Sequence, residues 1–314
     1  MGKNSGGVRV IDEKTSLFVI AGPMFLELLL NILLNNMDTL MLSHYDEYSV
    51  GAVGNANQVM FLFIITFNEE ENIGRCLEAA KDICDEIIVV DSGSSDGTKS
   101  IAEKYGAKFF TRKFDGFAAQ KGYALSQCTG EWALSLDADE FIDEDLKTEI
   151  RKITAGGESA DGYEILRINY FLGRKMKHSG LKNDIILRLV RRENAKFTGG
   201  LVHEKLEVSG NVSRISKGHI QHYSYSSIHN YFEKFNKYTS LGAKKKAESG
   251  RKPNLFISFM RIPFDFFRRY VLQLGILDGA PGFIWCAFSA FYPFVKYMKW
   301  WEINANSSER SGQN

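Results

Sequence analysis

The 314 residues carry 39 Lys and Arg against 38 Asp and Glu, a balance that excludes nucleic-acid binding by bulk charge. At 44% hydrophobic and 25% charged, the chain is neither disordered nor a wholly membrane-embedded transporter. Cys76, Cys84, Cys128 and Cys286 form no C-x-x-C pair, which argues against a disulfide scaffold or cysteine zinc site and for a reducing compartment.

Four zones follow in chain order: a hydrophobic extension (1–58), an α/β domain (59–250), an aromatic helical region (251–302) and a polar tail expected to be disordered (303–314). In the first, residues 17–34 are apolar apart from Glu27 and Asn31, barely enough to span a bilayer. The stretches Pro23-Met-Phe-Leu-Glu-Leu-Leu-Leu, Asn36-Met-Asp-Thr-Leu-Met-Leu-Ser and Ala52-Val-Gly-Asn-Ala-Asn-Gln resemble the start of multidrug and toxic compound extrusion (MATE) transporters, over about 45 residues. Such a transporter needs many more spans, so the bland reading is an anchor or fusion remnant without transport activity. Lys3, Arg9 and Lys14 precede the stretch, and no Lys or Arg follows before Arg75. The positive-inside rule places that flank in the cytosol. A single crossing would then export the domain behind it, so we expect this helix to lie in the interface or pack on the protein.

The second zone alternates strands and helices. Residues 60–66 form a continuous apolar run, as a strand buried on both faces does. Residues 70–81 have helical periodicity, with Ile73, Leu77 and Ala80 on one face. Strands are expected at 86–91, 107–111 and 131–136, and helices at 97–105 and 116–127. This β-α-β-α-β-α-β order predicts an α/β fold with a mostly parallel sheet covered on both faces. Ligands in such sheets sit at the carboxyl ends of strands. There the sequence places Asn68-Glu-Glu, Asp91-Ser-Gly-Ser and Asp137-Ala-Asp. Residues i and i+2 of an extended segment point the same way, so Asp137 and Asp139 share one space. Two close carboxylates repel unless a cation joins them, and a hard divalent ion held this way keeps positions open for phosphate oxygens. Asp91-Ser-Gly-Ser-Ser-Asp-Gly-Thr98 lets backbone approach a ligand, with Asp91 as an acceptor for base or ribose. It is neither a P-loop nor a Rossmann fingerprint. Gly93-Ser-Ser95-Asp-Gly97 does match the G-x-S-x-G nucleophile elbow, so an α/β-hydrolase using Ser95 is a rival.

Together, Thr66-Phe-Asn-Glu-Glu-Glu-Asn72, Val89-Val-Asp-Ser-Gly-Ser-Ser-Asp-Gly-Thr98 and Ser135-Leu-Asp-Ala-Asp-Glu140 resemble family 2 glycosyltransferases of the GT-A fold. Phe197-Thr-Gly-Gly-Leu-Val-His-Glu204, His222-Tyr, Tyr231 with Lys234 and Tyr238, and Leu277-Asp-Gly-Ala-Pro-Gly282 are similar to the lipopolysaccharide core glucosyltransferase branch. The likeness runs from about residue 60 to 301. It implies inverting transfer of a sugar from a nucleotide donor, usually UDP-linked, to an acceptor hydroxyl. By this resemblance Thr66, Asn68, Glu70, Asp91, Ser92, Gly93, Lys121 and Asp137 would line the donor site. Asp137, Asp139 and His222 would hold Mg²⁺ or Mn²⁺, with the second carboxylate as the direct ligand and His219 a near rival of His222. Glu204, after the turn Gly199-Gly200, would be the catalytic base.

Each residue has a plainer role open to it. Glu70 can stabilise the N-terminus of the first helix, and Lys121 can sit on a solvated helix face. Arg188, Arg191 and Arg192 suit acceptor phosphates or a solvated strand edge. Lys244-Lys-Lys246 is a solvated run or an attraction to anionic lipid. Between Arg251 and Glu302, 15 aromatic residues are interleaved with seven Lys or Arg and three Asp or Glu, which fits helices at a lipid headgroup boundary. The expected partners are therefore a UDP-sugar, a lipid-linked saccharide and the cytoplasmic face of the inner membrane. The non-enzymatic rival is a transporter-fragment fusion or scaffold whose transferase domain is damaged at its first strand.

Overall fold

The structure is a computed structural model and describes residues 60–157, 160–182, 184–199, 204–249 and 254–311. The hydrophobic extension, its transporter-like stretches and the expected placement of its helix lie outside the described residues, as do Gly200 and His203. Residues Gln58–Asn314 form one compact unit.

The first half alternates strand and helix: β1 (Met60–Thr66), α1 (Ile73–Ala80), β2 (Glu86–Asp91), α2 (Thr98–Lys104), β3 (Lys108–Thr111), α3 (Phe117–Gln127) and β4 (Trp132–Asp137). Short elements follow: β5 (Glu140–Ile142), α4 (Glu144–Lys152), β6 (Gly162–Phe171), β7 (Arg174–Lys175), β8 (Asp184–Arg191), β9 (Ala195–Gly199), β10 (Glu204–Val208), β11 (Val212–Arg214) and β12 (Ile220–Tyr225). Three helices close the chain: α5 (Ile228–Ala247), α6 (Leu255–Phe267) and α7 (Gly279–Ser311). The last continues helical to Ser311, into the polar stretch expected to be disordered.

The main sheet runs β3-β2-β1-β4-β8-β6-β12-β5, with β7 and β11 attached to β6. Strands β3, β2, β1 and β4 are parallel, whereas β8 is antiparallel to both β4 and β6. Strands β11 and β12 pair in parallel with β6, so the sheet is mixed, with antiparallel pairings around β8, β7 and β5. Parallel neighbours need a crossover, usually helical; among the described residues between β6 and β8 there are only the short β7 and turns, so the chain folds back antiparallel.

Strand β1 is central and paired on both sides, so the first strand is intact. Its period of two sorts the core. Met60, Leu62 and Ile64 join Ile73, Leu77 and Ala80 of α1 and Leu146 and Ile150 of α4 on one face. Phe61 and Phe63 meet Ala124 and Leu125 of α3 on the other. At about 1.5–3 kcal/mol per fully buried apolar side chain, these two layers fix the register. That register aligns Thr66 with Asp91 and Ile65 with Asp137. On the other side of β4, the parallel pairing of β12 with β6 aligns His222 with Asn169, and antiparallel pairings align His222 with Glu140 and Arg167 with Asp184.

A third core joins Phe171, Met176, Tyr231 and Phe235 to Trp285, Phe288 and Tyr292 of α7. Outside it, Phe256, Ile257, Phe259, Phe264, Leu272 and Leu277 are all more than half exposed. Among the described residues no single helix is long and apolar enough to cross a membrane; Leu255–Leu272 and Gly275–Ala305 pass that test only as a pair bent by 71°.

Candidate active site

The loop after β2 is built by its own side chains. The Asp91 carboxylate accepts from the backbone N–H groups of Gly93 (2.8 Å) and Ser94 (2.7 Å) and from the Ser94 hydroxyl (2.5 Å). Gly93 adopts φ +96° there, a left-handed conformation that favours glycine. The N–H of Asn68 donates to Ser94 Oγ, and Asn68 Oδ1 accepts from Ser95 N–H at 2.9 Å. Glu70 does not cap the first helix. Its carboxylate accepts the Gly97 N–H at 2.7 Å, at the N-terminus of α2, where negative charge meets the positive end of the helix dipole. Ser92 Oγ accepts from buried Gln120 at 3.2 Å. Thr66 is buried, and its hydroxyl has no hydrogen-bond partner among the described residues. Asn68, Glu70, Asp91, Ser92 and Gly93 thus form one interlocked rim at the ends of β1 and β2. Ser95 is exposed, and no hydrogen bond joins it to a histidine among the described residues.

Beside this rim lies a continuous ionic network. Lys121, buried on α3, bridges Asp137 at 2.8 Å and Glu204 at 3.0 Å; its reading as a solvated helix residue is corrected. Arg188 binds the other oxygen of Asp137 at 2.8 Å and Glu140 at 2.7 Å. Arg167 joins Glu140 to Asp184, at 2.9 and 2.8 Å. Asn169 donates to Asp184 at 3.0 Å and turns its Oδ1 to His222 Nδ1 at 2.9 Å. His222 Nε2 faces Asp139 Oδ1 at 3.5 Å, and Lys234 reaches Asp139 Oδ2 at 3.2 Å from α5.

Burial alone would raise the Asp137 carboxyl, but Lys121 and Arg188 outweigh it and hold the group well below the usual carboxylate range. Burial likewise opposes ionisation of Asp139, where His222 and Lys234 prevail and depress it. Glu69 goes the other way. Burial and then the Asp139 charge raise it, against the pull of Lys234.

The sequence reading divides against this geometry. Asp137 places its two oxygens on Lys121 and Arg188, and Asp139 places its own toward His222 and Lys234. His219 belongs elsewhere, paired with Asp143 at 2.5 Å. Arg188 enters the site, whereas Arg191 pairs with Glu131 and Arg192 donates to the Gly130 carbonyl, at the start of β4 and away from the strand ends. Asp278 of the Leu277–Gly282 segment is structural: it accepts from the Lys177 and His178 N–H groups and from the Ser179 hydroxyl. Glu69, Gln120, Glu140, Arg167, Asn169 and Asp184 were missed. Glu69 stood inside the Asn68-Glu-Glu triplet and Glu140 at the end of Ser135-Leu-Asp-Ala-Asp-Glu140; the others carry no local signal.

A divalent cation fits the donor set. Asn169 gives Asp184 its amide, so its Oδ1 requires Nδ1–H on His222. With Nδ1–H committed to Asn169, His222 Nε2 faces Asp139 Oδ1 at 3.5 Å and would give up its proton to ligate a metal. Five carboxylates (Asp137, Asp139, Glu140, Asp184, Glu204) are paired with four permanent cations (Lys121, Arg167, Arg188, Lys234). Among the described residues no group of three or more His, Cys, Asp or Glu side chains is arranged to hold a metal. Ligand oxygens would have to complete the shell.

Residues 61–212 match the family described as Glycosyl transferase family 2. The chain is 31% identical over 249 residues to the lipopolysaccharide core biosynthesis glycosyltransferase LpsC of Rhizobium meliloti, covering 77% of this chain and 92% of that one. The chain belongs to glycosyl transferase family 2, and it is an enzyme of that class rather than an α/β-hydrolase. Its fold is the GT-A form of the α/β class. Among solved structures, S. aureus TarS 1–349 in complex with UDP is similar at 18% identity and TM-score 0.36, over 56% of this chain and 63% of that one. A separate 57-residue match, 46% identical, is to the uncharacterized transporter YisQ of Bacillus subtilis; it covers 18% of this chain and 12% of the transporter, too little to define a family.

Proposed function

We propose that this glycosyltransferase moves a sugar, a hexose from a UDP-sugar, to a hydroxyl of a lipid-linked saccharide with inversion, in lipopolysaccharide core or envelope glycan synthesis. The observation that carries the reading is the Glu204–Lys121–Asp137 bridge beside the facing pair Asp139 and His222, at the carboxyl ends of the parallel strands. Thr66 and the Asn68–Asp91 rim receive the nucleoside. Inversion in one displacement requires one base for the acceptor proton, and Glu204, fixed by Lys121, takes that proton on its carboxylate. Asp139 and His222 would hold Mg²⁺ or Mn²⁺, and the mixed oxygen and nitrogen set favours Mn²⁺. When bound, the ion supplies positive charge to the leaving diphosphate.

The acceptor class rests on the similarity to LpsC across 92% of that protein. The exposed apolar side chains of α6 and the segment after it, with Arg261 and Arg268 among them, support placement on an anionic lipid surface. Nucleotide sugars are cytosolic, which puts that surface on the cytoplasmic side of the inner membrane.

The test is thermal unfolding of the full chain with UDP, with and without Mn²⁺. Binding at a hundredfold excess over Kd stabilises by about 2.7 kcal/mol. The expected stabilisation requires Mn²⁺ and disappears in Asp139→Ala. Equal stabilisation by UDP without the metal, retained in Asp139→Ala, would remove Asp139 from the site.

A further inference from the structure

Helix α5 follows the last strand of the sheet, yet it returns to the site at three points. Lys234 Nζ is 3.2 Å from Asp139 Oδ2 and donates to the Ser224 carbonyl at 3.0 Å. One turn on, Lys237 Nζ lies 5.3 Å from the centre of the Phe67 ring and 6.0 Å from that of Phe114. Tyr238 approaches Phe117 at 6.2 Å between ring centres. Positions 234, 237 and 238 share one helix face. Phe67 directly follows Thr66 at the end of β1, Phe117 opens α3, and Asp139 follows β4. The face therefore spans the mouth of the cleft from the end of β4 to the end of β1. The adjoining stripe, Tyr231, Phe235, Thr239 and Ala243, is buried, and Tyr231 and Phe235 pack on Phe288 and Tyr292 of α7. The helix is anchored from behind while its cationic face looks onto the site.

The two ammonium groups differ in what they already hold. Lys234 shares Asp139 and a carbonyl. Lys237 is exposed and, among the described residues, faces aromatic rings and no carboxylate. A cation over a ring face keeps its N–H donors free in other directions, and an ammonium is a compact point charge suited to phosphate oxygens. Resting on the UDP-sugar reading above, we propose that α5 roofs the donor site and that Lys234 and Lys237 grip the diphosphate of the bound nucleotide.

The grip acts on phosphate charge, so it distinguishes UDP from uridine. Calorimetric titration of the full chain with UDP and separately with uridine, both with Mn²⁺ present, reads it directly. Lys237→Glu, at an exposed position that tolerates substitution, is expected to weaken UDP about tenfold, the worth of one charge-assisted contact, while uridine affinity stays within about twofold. Lys234→Met is expected to lower the UDP-to-uridine affinity ratio further, and Lys237→Arg to restore it. Lys244→Glu, two turns along the same helix, controls for general charge and leaves UDP binding unchanged. Unchanged UDP affinity in both Lys234→Met and Lys237→Glu would overturn the grip while leaving the donor site standing. Equal loss of UDP and uridine would also overturn it, since that marks a distorted site. Wild-type protein that binds neither ligand removes the donor reading itself, and the grip with it.

Discussion

Removing the Arg188 guanidinium tests whether the network is as tightly coupled as its geometry implies. The side chain is 8% exposed and sits between Glu140, fully buried, and Asp137. Burial works against its charge, but Glu140 and Asp137 prevail and keep it ionised. In Arg188→Met both carboxylates lose a partner. Removing one member of a buried ion pair costs about 3–5 kcal/mol, because the remaining charge is uncompensated. Lys121 still holds Asp137 at 2.8 Å and Arg167 still holds Glu140 at 2.9 Å, which places the expected loss near the lower end, about 3 kcal/mol. For a domain of this size that lowers Tm by about 6–12 °C. Urea unfolding gives the loss directly. A second variant, Arg188→Met with Glu140→Gln, removes one of the orphaned charges and should lose less than the two single changes combined. A loss under about 1 kcal/mol, the value for an exposed pair, would refute the reasoning: the network would then be solvent-screened rather than desolvated.

Three further outcomes follow from the same geometry. Glu204→Gln should cut turnover by about 10²–10⁴-fold, the range for general base catalysis, with UDP affinity nearly intact; steady-state kinetics showing unchanged turnover would move the base elsewhere. Burial opposes ionisation of Asp184, but Arg167 and Asn169 outweigh it and lower its carboxyl below the ordinary value. Its folded pKa being depressed, it stabilises the protein above its unfolded value, about 4, and that contribution fades as pH falls through the folded value. Asp184→Asn should thus be less stable than wild type at neutral pH and converge with it as pH falls through the depressed folded value, as read by urea midpoints across pH. Phe256→Ser with Phe264→Ser, at positions 72% and 63% exposed, should weaken sedimentation with vesicles containing phosphatidylglycerol while leaving the melting temperature within a degree or so; undiminished sedimentation would detach α6 from the lipid surface.

The parallel half of the sheet was written in local pattern. A run such as Met60-Phe-Leu-Phe-Ile-Ile-Thr66 can bury both faces only between two neighbours, and it does. Helix α1 keeps its three anticipated contacts, Ile73, Leu77 and Ala80, because a 3.6-residue period leaves one face for the core. The strand-end clusters at Asn68, Asp91 and Asp137 follow, since a parallel sheet brings successive carboxyl ends to one edge. What a local pattern could not assign is which side chain spends its charge on which neighbour. Asp137 and Asp139 look equivalent in sequence, but Lys121 and Arg188 arrive from α3 and β8, 16 residues before Asp137 and 51 after it, and occupy only the first. His219 and His222 are three residues apart, and only the register of β12 against β6 sets His222 beside Asn169 and frees it for Asp139. The mixed half of the sheet escaped the reading for the same reason: its polar residues alternate as on any strand, and their partners lie far along the chain. Lys234 is marked by the resemblance that joins it to Tyr231 and Tyr238, but its partner is not, since Asp139 lies 95 residues earlier and meets it only when the helix folds back. Sequence alone thus determined the class of protein, the strands and the edge where chemistry gathers. Tertiary structure decided the charge pairing, because Coulomb energy depends on distance and desolvation, and neither exists until the sheet and its roof have closed.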